Sequence, residues 1–260
     1  MRKALISTIA VLALVALVGC GGGDPPAAPT GFAPNQTTEA YAYVHGGYVG
    51  QAVVTTDANG AISATLDEAF LPHTLAIVDM DAAEWTEDNT VYYVQRGNQV
   101  RVAKWVVYNG TTYTGVTVGS TLSYVQSGDD GSAAGGADLA MTIIRNEANM
   151  KAYFEGVGNG AFQTLTQFGG NPTPVTTTSF GSVYKRGSNY WPQGLGWQGN
   201  MDAIEAAAAQ YGIAFRLNEM TRRSDNNRWQ LADAVTGATA SDFPDYFALI
   251  QLAGARLKMQ

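Results

Sequence analysis

Apolar and polar positions alternate along much of the chain between residues 40 and 120, which is typical of antiparallel strands with one buried face. The alternation is clearest at residues 48–55 and 61–66. Residues 57–60 between them read Asp-Ala-Asn-Gly, and an Asn-Gly turn flanked by such runs is a strong hairpin signal. Further strands are predicted at residues 90–95, 100–108 and 112–118.

A periodicity near 3.6 residues replaces this alternation further along the chain and predicts helices. These are expected at residues 138–157, 201–211 and 242–258. Asn200 is the expected N-cap of the second helix, and Gly212 lies just past its end. Loops are predicted at residues 127–136 and 158–199, and a short strand at residues 213–217. The sequence therefore predicts a single α+β domain, with an antiparallel sheet and helices packed on it.

The N-terminus has the pattern of an exported lipoprotein. Two basic residues precede an apolar stretch at residues 4–18, which is short for a membrane span. The only cysteine, Cys20, follows where cleavage is expected, and its surroundings resemble the bacterial lipobox. The alternative is an ordinary leader with an incidental cysteine. We expect a signal peptide at residues 1–19, a lipidated Cys20 with a flexible linker at residues 20–40, and one domain at residues 41–260.

Composition narrows the range of functions. The 22 acidic residues outnumber the 15 basic ones, which argues against a nucleic-acid partner. A single cysteine excludes an internal disulfide, a thiolate metal centre and a Cys-ligated iron–sulfur cluster. His45 and His73 are the only histidines, and no metal site is predicted from them. Any redox chemistry must come from an organic cofactor, or from haem that is not attached through a C-x-x-C-H motif.

The segment most suited to chemistry is Asp-Ala-Val-Thr-Gly-Ala-Thr-Ala-Ser at residues 233–241, just before the last predicted helix. Small residues and clustered hydroxyls at a helix N-terminus suit a phosphate, because unpaired N–H groups and the positive end of the helix dipole point there. Gly237 and Ala238 would let the backbone approach a ligand closely. The alternative is an ordinary helix cap, where Ser and Thr are common.

This segment resembles the flavinylation motif Asp-x-x-Ser/Thr-Gly-Ala-Thr of the FMN-binding domain family. That family includes the C and G subunits of the sodium-pumping NADH:quinone reductase and Rnf complexes. The resemblance implies FMN joined to Thr239 by a phosphoester, which a magnesium-dependent flavin transferase installs from FAD after export. It further implies that the transferase recognises Asp233, and that Thr236, Gly237 and Ala238 shape the loop around the phosphate.

The rest of the chain resembles this family unevenly. The hairpin from residue 46 to residue 62 is similar to the opening of these domains, whereas residues 119–199 match no part of the pump subunits. A cleaved lipoprotein leader replaces their retained transmembrane helix. The resemblance is therefore closer to the stand-alone lipoproteins of flavin-based extracellular electron transfer than to the pump subunits, and it implies an FMN-binding-domain-like fold.

A flavin ring requires aromatic or apolar faces and a few hydrogen bonds to its polar edge. Tyr190, Trp191 and Trp197 are candidates for stacking on the ring. Tyr43 and Tyr48, near the Gly46-Gly47 break, are further candidates. The alternative for each is a core or surface aromatic residue.

Three functions follow as hypotheses. The first is an extracytoplasmic, lipid-anchored electron carrier that receives electrons from a membrane-side donor and passes them to an acceptor protein or small acceptor. The second is a surface ligand-binding or adhesion lipoprotein without flavin. The third is a flavin-dependent reductase.

Overall fold

The computed structural model describes residues 31–45, 47–95, 97–231 and 234–260. The predicted signal peptide, Cys20 and Asp233 lie outside the described residues. No helix within the described residues is long and apolar enough to cross a membrane.

A three-stranded antiparallel sheet forms the first part of the fold. It contains β1 (Thr37–Val44), β2 (Tyr48–Thr56) and β3 (Ile62–Phe70), paired in that order. The predicted hairpin is confirmed: Asp57 Oδ1 accepts from the N–H groups of Asn59 and Ala61 at 2.7 and 2.9 Å, and Gly60 has φ of 79°. Only a glycine adopts that backbone conformation without strain, which is why the Asn-Gly pair sets this turn.

The folded region begins earlier than residue 41. Phe32 forms a β-bridge with Met259, and the Ala33 N–H donates to the Lys258 carbonyl at 2.8 Å. β1 then starts at Thr37. The end of the predicted linker at residues 20–40 is therefore part of the domain, because it pairs with the C-terminus of the chain. Polar residues there hid the strand from the alternation pattern.

A six-stranded antiparallel sheet and a two-stranded ribbon form the middle of the chain. The ribbon consists of β4 (Thr90–Gln95) and β5 (Asn98–Ala103). The larger sheet has the order β11-β10-β6-β7-β8-β9. Its strands are β6 (Trp105–Tyr108), β7 (Thr111–Val118), β8 (Thr121–Ser127), β9 (Ala133–Gly135), β10 (Phe162–Leu165) and β11 (Thr173–Pro174).

Two predictions for this region need correction. The strand predicted at residues 100–108 is broken at Lys104, whose N–H donates to the Asn89 carbonyl while the chain passes from the ribbon into the larger sheet. The loops predicted at residues 127–136 and 158–199 contain the short strands β9, β10 and β11. Pairing with neighbouring strands, which local patterns do not encode, decides both points.

The helices are α1 (Pro72–Leu75), α2 (Leu139–Ile143), α3 (Glu147–Val157), α4 (Gly196–Tyr211) and α5 (Phe243–Gly254), with a 3-10 turn at Leu217–Glu219. The single helix predicted at residues 138–157 is wrong, since it divides into α2 and α3. Asp138 caps α2 and Asn146 caps α3, the latter accepting from the Asn149 N–H at 2.9 Å. An Asn side chain that bonds the backbone three residues ahead favours a new helix start over continuation.

A small sheet precedes the last helix and contains β12 (Met220–Arg222), β13 (Trp229–Leu231) and β14 (Ala234–Val235). The strand predicted at residues 213–217 is wrong. Gln251 Nε2 on α5 donates to the carbonyls of Ile213 and Phe215 at 2.7 and 2.6 Å, so a side chain takes the place of a neighbouring strand.

Apolar side chains of the sheets and helices form one continuous hydrophobic cluster. Its largest fully buried members include Tyr41, Phe70, Tyr153, Phe162, Phe243 and Phe247. Helices α4 and α5 pack on the first sheet and α3 lies against β1. The protein is therefore an α+β fold of antiparallel sheets with helices packed on them, as predicted.

Candidate functional site

A cavity of about 500 Å³ lies where the first sheet meets α4, α5 and the β4–β5 ribbon. Its aromatic wall consists of Tyr48, Tyr93, Tyr190, Trp191, Trp197 and Tyr246. Ala240, Ser241 and Asp242, which directly follow Thr239 in the chain, line the same cavity. A concave site with aromatic walls and a few polar groups is the usual form of a small-molecule or cofactor site.

The three aromatic residues predicted to hold a flavin therefore share one cavity. Tyr190 is buried, and its hydroxyl lies 2.6 Å from that of Tyr48. Trp191 is 42% exposed and has φ of 49°, a left-handed conformation that is unusual for a bulky residue. Tyr43, the remaining candidate, is 43% exposed and is not part of the cavity wall.

A buried ion pair adjoins the aromatic wall, and its Lys185 member lines the cavity. Lys185 Nζ lies 2.5 Å from Glu68 Oε2, and both side chains are almost fully buried. The same ammonium lies 3.2 Å from the centroid of the Tyr48 ring, which adds a cation–π contact. Trp197 Nε1 also donates to Glu68 Oε2 at 2.9 Å. Burial, followed by the neighbouring Glu68 carboxylate, raises the pKa of Tyr246 far above its ordinary range, so its hydroxyl stays protonated.

Sequence reasoning missed this ion pair. Glu68 lies on β3 midway between Leu66 and Phe70. Alternate residues of a strand share one face, and both of these neighbours are buried. A charge at an inward position of an alternating strand is the signal that was available, because buried carboxylates require a partner. Lys185 comes from the long segment before α4, and no local pattern links it to β3.

The loop that carries Thr239 is held from two sides. Trp229 of β13 accepts from the Thr236 N–H at 2.7 Å, and its Nε1 donates to the Ala240 carbonyl at 2.6 Å. On the opposite side, Asn200 Oδ1 accepts from the N–H groups of Thr239 and Ala240, both at 2.7 Å. The Thr239 hydroxyl, partly exposed, lies 3.3 Å from the same oxygen.

Asn200 is thus not the N-cap that the sequence predicted. Helix α4 begins at Gly196, four residues earlier, and Asn200 Nδ2 donates to the Gly196 carbonyl at 2.7 Å. Its side chain therefore bonds both to the first turn of its own helix and to the Thr239 loop. Gly212, with φ of 80°, does end the helix as predicted.

The unpaired N–H groups expected around Thr239 are mostly occupied. Those of Thr239 and Ala240 bond to Asn200, and Phe243 N–H donates to the Ala240 carbonyl at 3.3 Å. Pro244 has no N–H to offer. The helix dipole of α5 remains. The prediction of unpaired N–H donors is wrong for Thr239, Ala240 and Phe243.

Two other motif residues are enclosed by the protein, whereas Gly237 between them is exposed. Thr236 and Ala238 are buried, and Thr236 Oγ1 accepts from the Ala238 N–H at 3.2 Å. At Gly237 a Cβ would lie 3.3 Å from Ala203 Cβ on α4. The small residues of the motif therefore let the loop pack closely against α4.

A histidine and two carboxylates meet at the rim of the cavity. His45 Nδ1 lies 3.1 Å from Asp242 Oδ2 and 4.0 Å from Asp245 Oδ2. His45 Nε2 lies 3.5 Å from Glu68 Oε1. The sequence analysis predicted no metal site from His45. The residues of this group come from the β1–β2 turn and from the start of α5, and only the packing of α5 on the sheet brings them together.

Searches of protein-family models, of curated proteins and of solved structures each found no match to this chain.

Proposed function

We propose that the protein is an extracytoplasmic electron carrier with an FMN-binding-domain-like fold, anchored by a lipid on Cys20, with FMN joined through a phosphoester to Thr239. One observation carries the proposal: Tyr190, Trp191 and Trp197 line a single cavity together with the residues that follow Thr239. Its volume of about 500 Å³ lies within the usual range for cofactor sites. A flavin attached at Thr239 would find aromatic surfaces beside its point of attachment.

Attachment requires little change in the Thr239 loop. The Thr239 hydroxyl would attack the phosphorus of the FMN half of FAD; AMP would depart with the electrons of the broken P–O bond, and the hydroxyl proton would be released. The new ester removes only the 3.3 Å contact between this hydroxyl and Asn200. The two shorter bonds from Thr239 N–H and Ala240 N–H to Asn200 stay in place.

Arg222 Nη2 donates to the Thr239 carbonyl at 2.8 Å, so one guanidinium lies close to the residue that would carry the phosphodiester. Lys185 also lines the cavity, but its charge is balanced by Glu68. FMN, when bound, supplies one- and two-electron transfer, while the protein orients the ring and tunes its electrostatics.

The test is co-expression with a flavin transferase in the bacterial periplasm, followed by intact-mass measurement and in-gel flavin fluorescence. We expect the wild type to gain the mass of FMN less one water. Thr239→Val should gain none. Thr117→Val on β7 is the matched control, since it makes the same change at an exposed residue outside the cavity and should leave flavin attachment unchanged.

Two outcomes would refute the proposal. One is absence of the adduct from the wild type when the same transferase modifies a control substrate. The other is an adduct that persists in Thr239→Val, which would place the flavin elsewhere.

A second function, a surface lipoprotein that binds a small ligand non-covalently in the same cavity, is favoured by one observation. Asn200 already satisfies the backbone donors of the Thr239 loop, as expected for a purely structural loop. Saturable quenching of tryptophan fluorescence by a ligand in flavin-free protein, together with no adduct, would support it.

A further inference from the structure

We propose that His45, Asp242 and Asp245 bind zinc or a related first-row divalent metal ion at the rim of the cavity. Their donor atoms lie within 4.8 Å of one another. Two ligand atoms that each lie about 2.1 Å from one ion are about 3.0–3.4 Å apart at octahedral or tetrahedral angles. The 3.1 Å between His45 Nδ1 and Asp242 Oδ2 matches this separation. Asp245 is 62% exposed, so a change of rotamer can close its longer distance.

A second, independent observation points to a ligand. Among the described residues, the buried side-chain atoms without a hydrogen bond are His45 Nδ1, His45 Nε2 and Glu68 Oε1. The His45 side chain is 10% exposed and that of Glu68 is fully buried. Leaving such groups unsatisfied is costly, and native proteins rarely do so without a reason.

One metal ion accounts for all three atoms. If His45 Nδ1 ligates the ion, the ring proton lies on Nε2, which faces Glu68 Oε1 at 3.5 Å. Metal-binding histidines usually donate the second ring N–H to a carboxylate, and that bond fixes the tautomer and ring orientation. The other carboxylate oxygen of Glu68 is held by Lys185 and Trp197, so this partner is already positioned.

The surroundings hold the donor atoms in place before an ion binds. The His45 ring packs on Tyr246, with 4.5 Å between ring centroids. Its φ of 50° sets the turn after β1, in a left-handed conformation that histidine adopts more readily than most residues. Asp242 and Asp245 come from the start of α5 and are half-exposed or more, which leaves coordination positions open to solvent and the cavity.

The donor set narrows the choice of ion. One imidazole and two carboxylates suit zinc and related first-row divalent ions better than calcium or magnesium, which prefer oxygen ligands alone. The inference does not rest on flavin attachment, because none of its residues belongs to the Thr239 motif.

Isothermal titration of ZnCl₂ into untagged, metal-free protein tests the proposal. We expect saturable binding of one ion. His45→Asn and Asp242→Asn should each lower the affinity at least ten-fold. Asn tolerates the left-handed conformation at position 45, and Asp242 makes no side-chain cap bond to α5, so both variants should fold. His73→Gln and Asp202→Asn are the matched controls and should bind as the wild type does.

Nitrogen-15 NMR of the imidazole rings provides a second readout, because the chain has two histidines. Zinc should shift the Nδ1 resonance of His45 strongly and leave that of His73 unchanged. Absence of saturable binding, or equal affinity in wild type, His45→Asn and Asp242→Asn, would overturn the proposal. Thr239→Val should retain zinc binding whether or not flavin attaches, so the two proposals can fail independently.

Discussion

The side-chain oxygen of Asn200, buried within α4, accepts hydrogen bonds from two consecutive backbone N–H groups, those of Thr239 and Ala240. The same amide donates to the Gly196 carbonyl, so both its oxygen and its nitrogen are hydrogen-bonded. This single side chain joins the loop before α5 to the helix that forms one wall of the cavity. The position of Thr239 relative to the aromatic wall therefore depends on Asn200.

Asn200→Ala should destabilise the protein by about 2–4 kcal/mol, because it leaves one buried and one partly buried N–H group unsatisfied at about 1–3 kcal/mol each and opens a small cavity. Urea denaturation followed by circular dichroism measures the change. Gln198→Ala on the exposed side of α4 is the control and should alter the free energy of unfolding by less than about 0.5 kcal/mol. Equal stability of the two variants would mean that Asn200 does not hold the loop.

Lys185→Met should lower the free energy of unfolding by about 3–5 kcal/mol, because it leaves the Glu68 carboxylate buried without its cation. Adding Glu68→Gln to this variant should recover much of the loss, since a neutral amide oxygen can still accept from Trp197 Nε1. Thermal and urea unfolding of the wild type, both single variants and the double variant complete the cycle. Additive losses in the double variant would show that the two groups do not interact.

Asp67→Asn should stabilise the protein at neutral pH. Burial raises the pKa of Asp67 to about 6, although N–H groups of Arg186 and Glu68 bond to its carboxylate. The folded state therefore binds this proton more tightly than the unfolded state does. Protonation of Asp67 therefore stabilises the folded state. This stabilisation is fully present below about pH 4 and is lost as the pH rises through about 6.

The Asp67→Asn variant should gain about 1–3 kcal/mol relative to wild type at pH 7 and almost nothing at pH 4, with Asn Oδ1 keeping both backbone bonds. Urea denaturation at several pH values between 4 and 8 gives the difference. Asp81→Asn on an exposed loop is the control, with an expected change below about 0.5 kcal/mol throughout. A constant difference between Asp67→Asn and wild type at all pH values would contradict the assignment.

Local patterns determined much of the secondary structure. Alternation and the Asn-Gly turn predict the β2–β3 hairpin, and Gly212 marks the end of α4. The same patterns failed where a partner decides the outcome. Gln251 donates to the carbonyls of residues 213 and 215, and Asn146 begins a new helix, so neither segment follows its own periodicity.

For the candidate site, residue types and spacing identified the motif around Thr239 and singled out Tyr190, Trp191 and Trp197. The packing of distant segments brings these aromatics into one cavity with the residues after Thr239, places Asn200 against the loop, and brings His45 close to Asp242 and Glu68. Residues far apart in the chain come together only when α4 and α5 bury their apolar faces against the first sheet. That burial is driven by the removal of apolar surface from water, which is non-directional, so it brings polar groups together without any local signal.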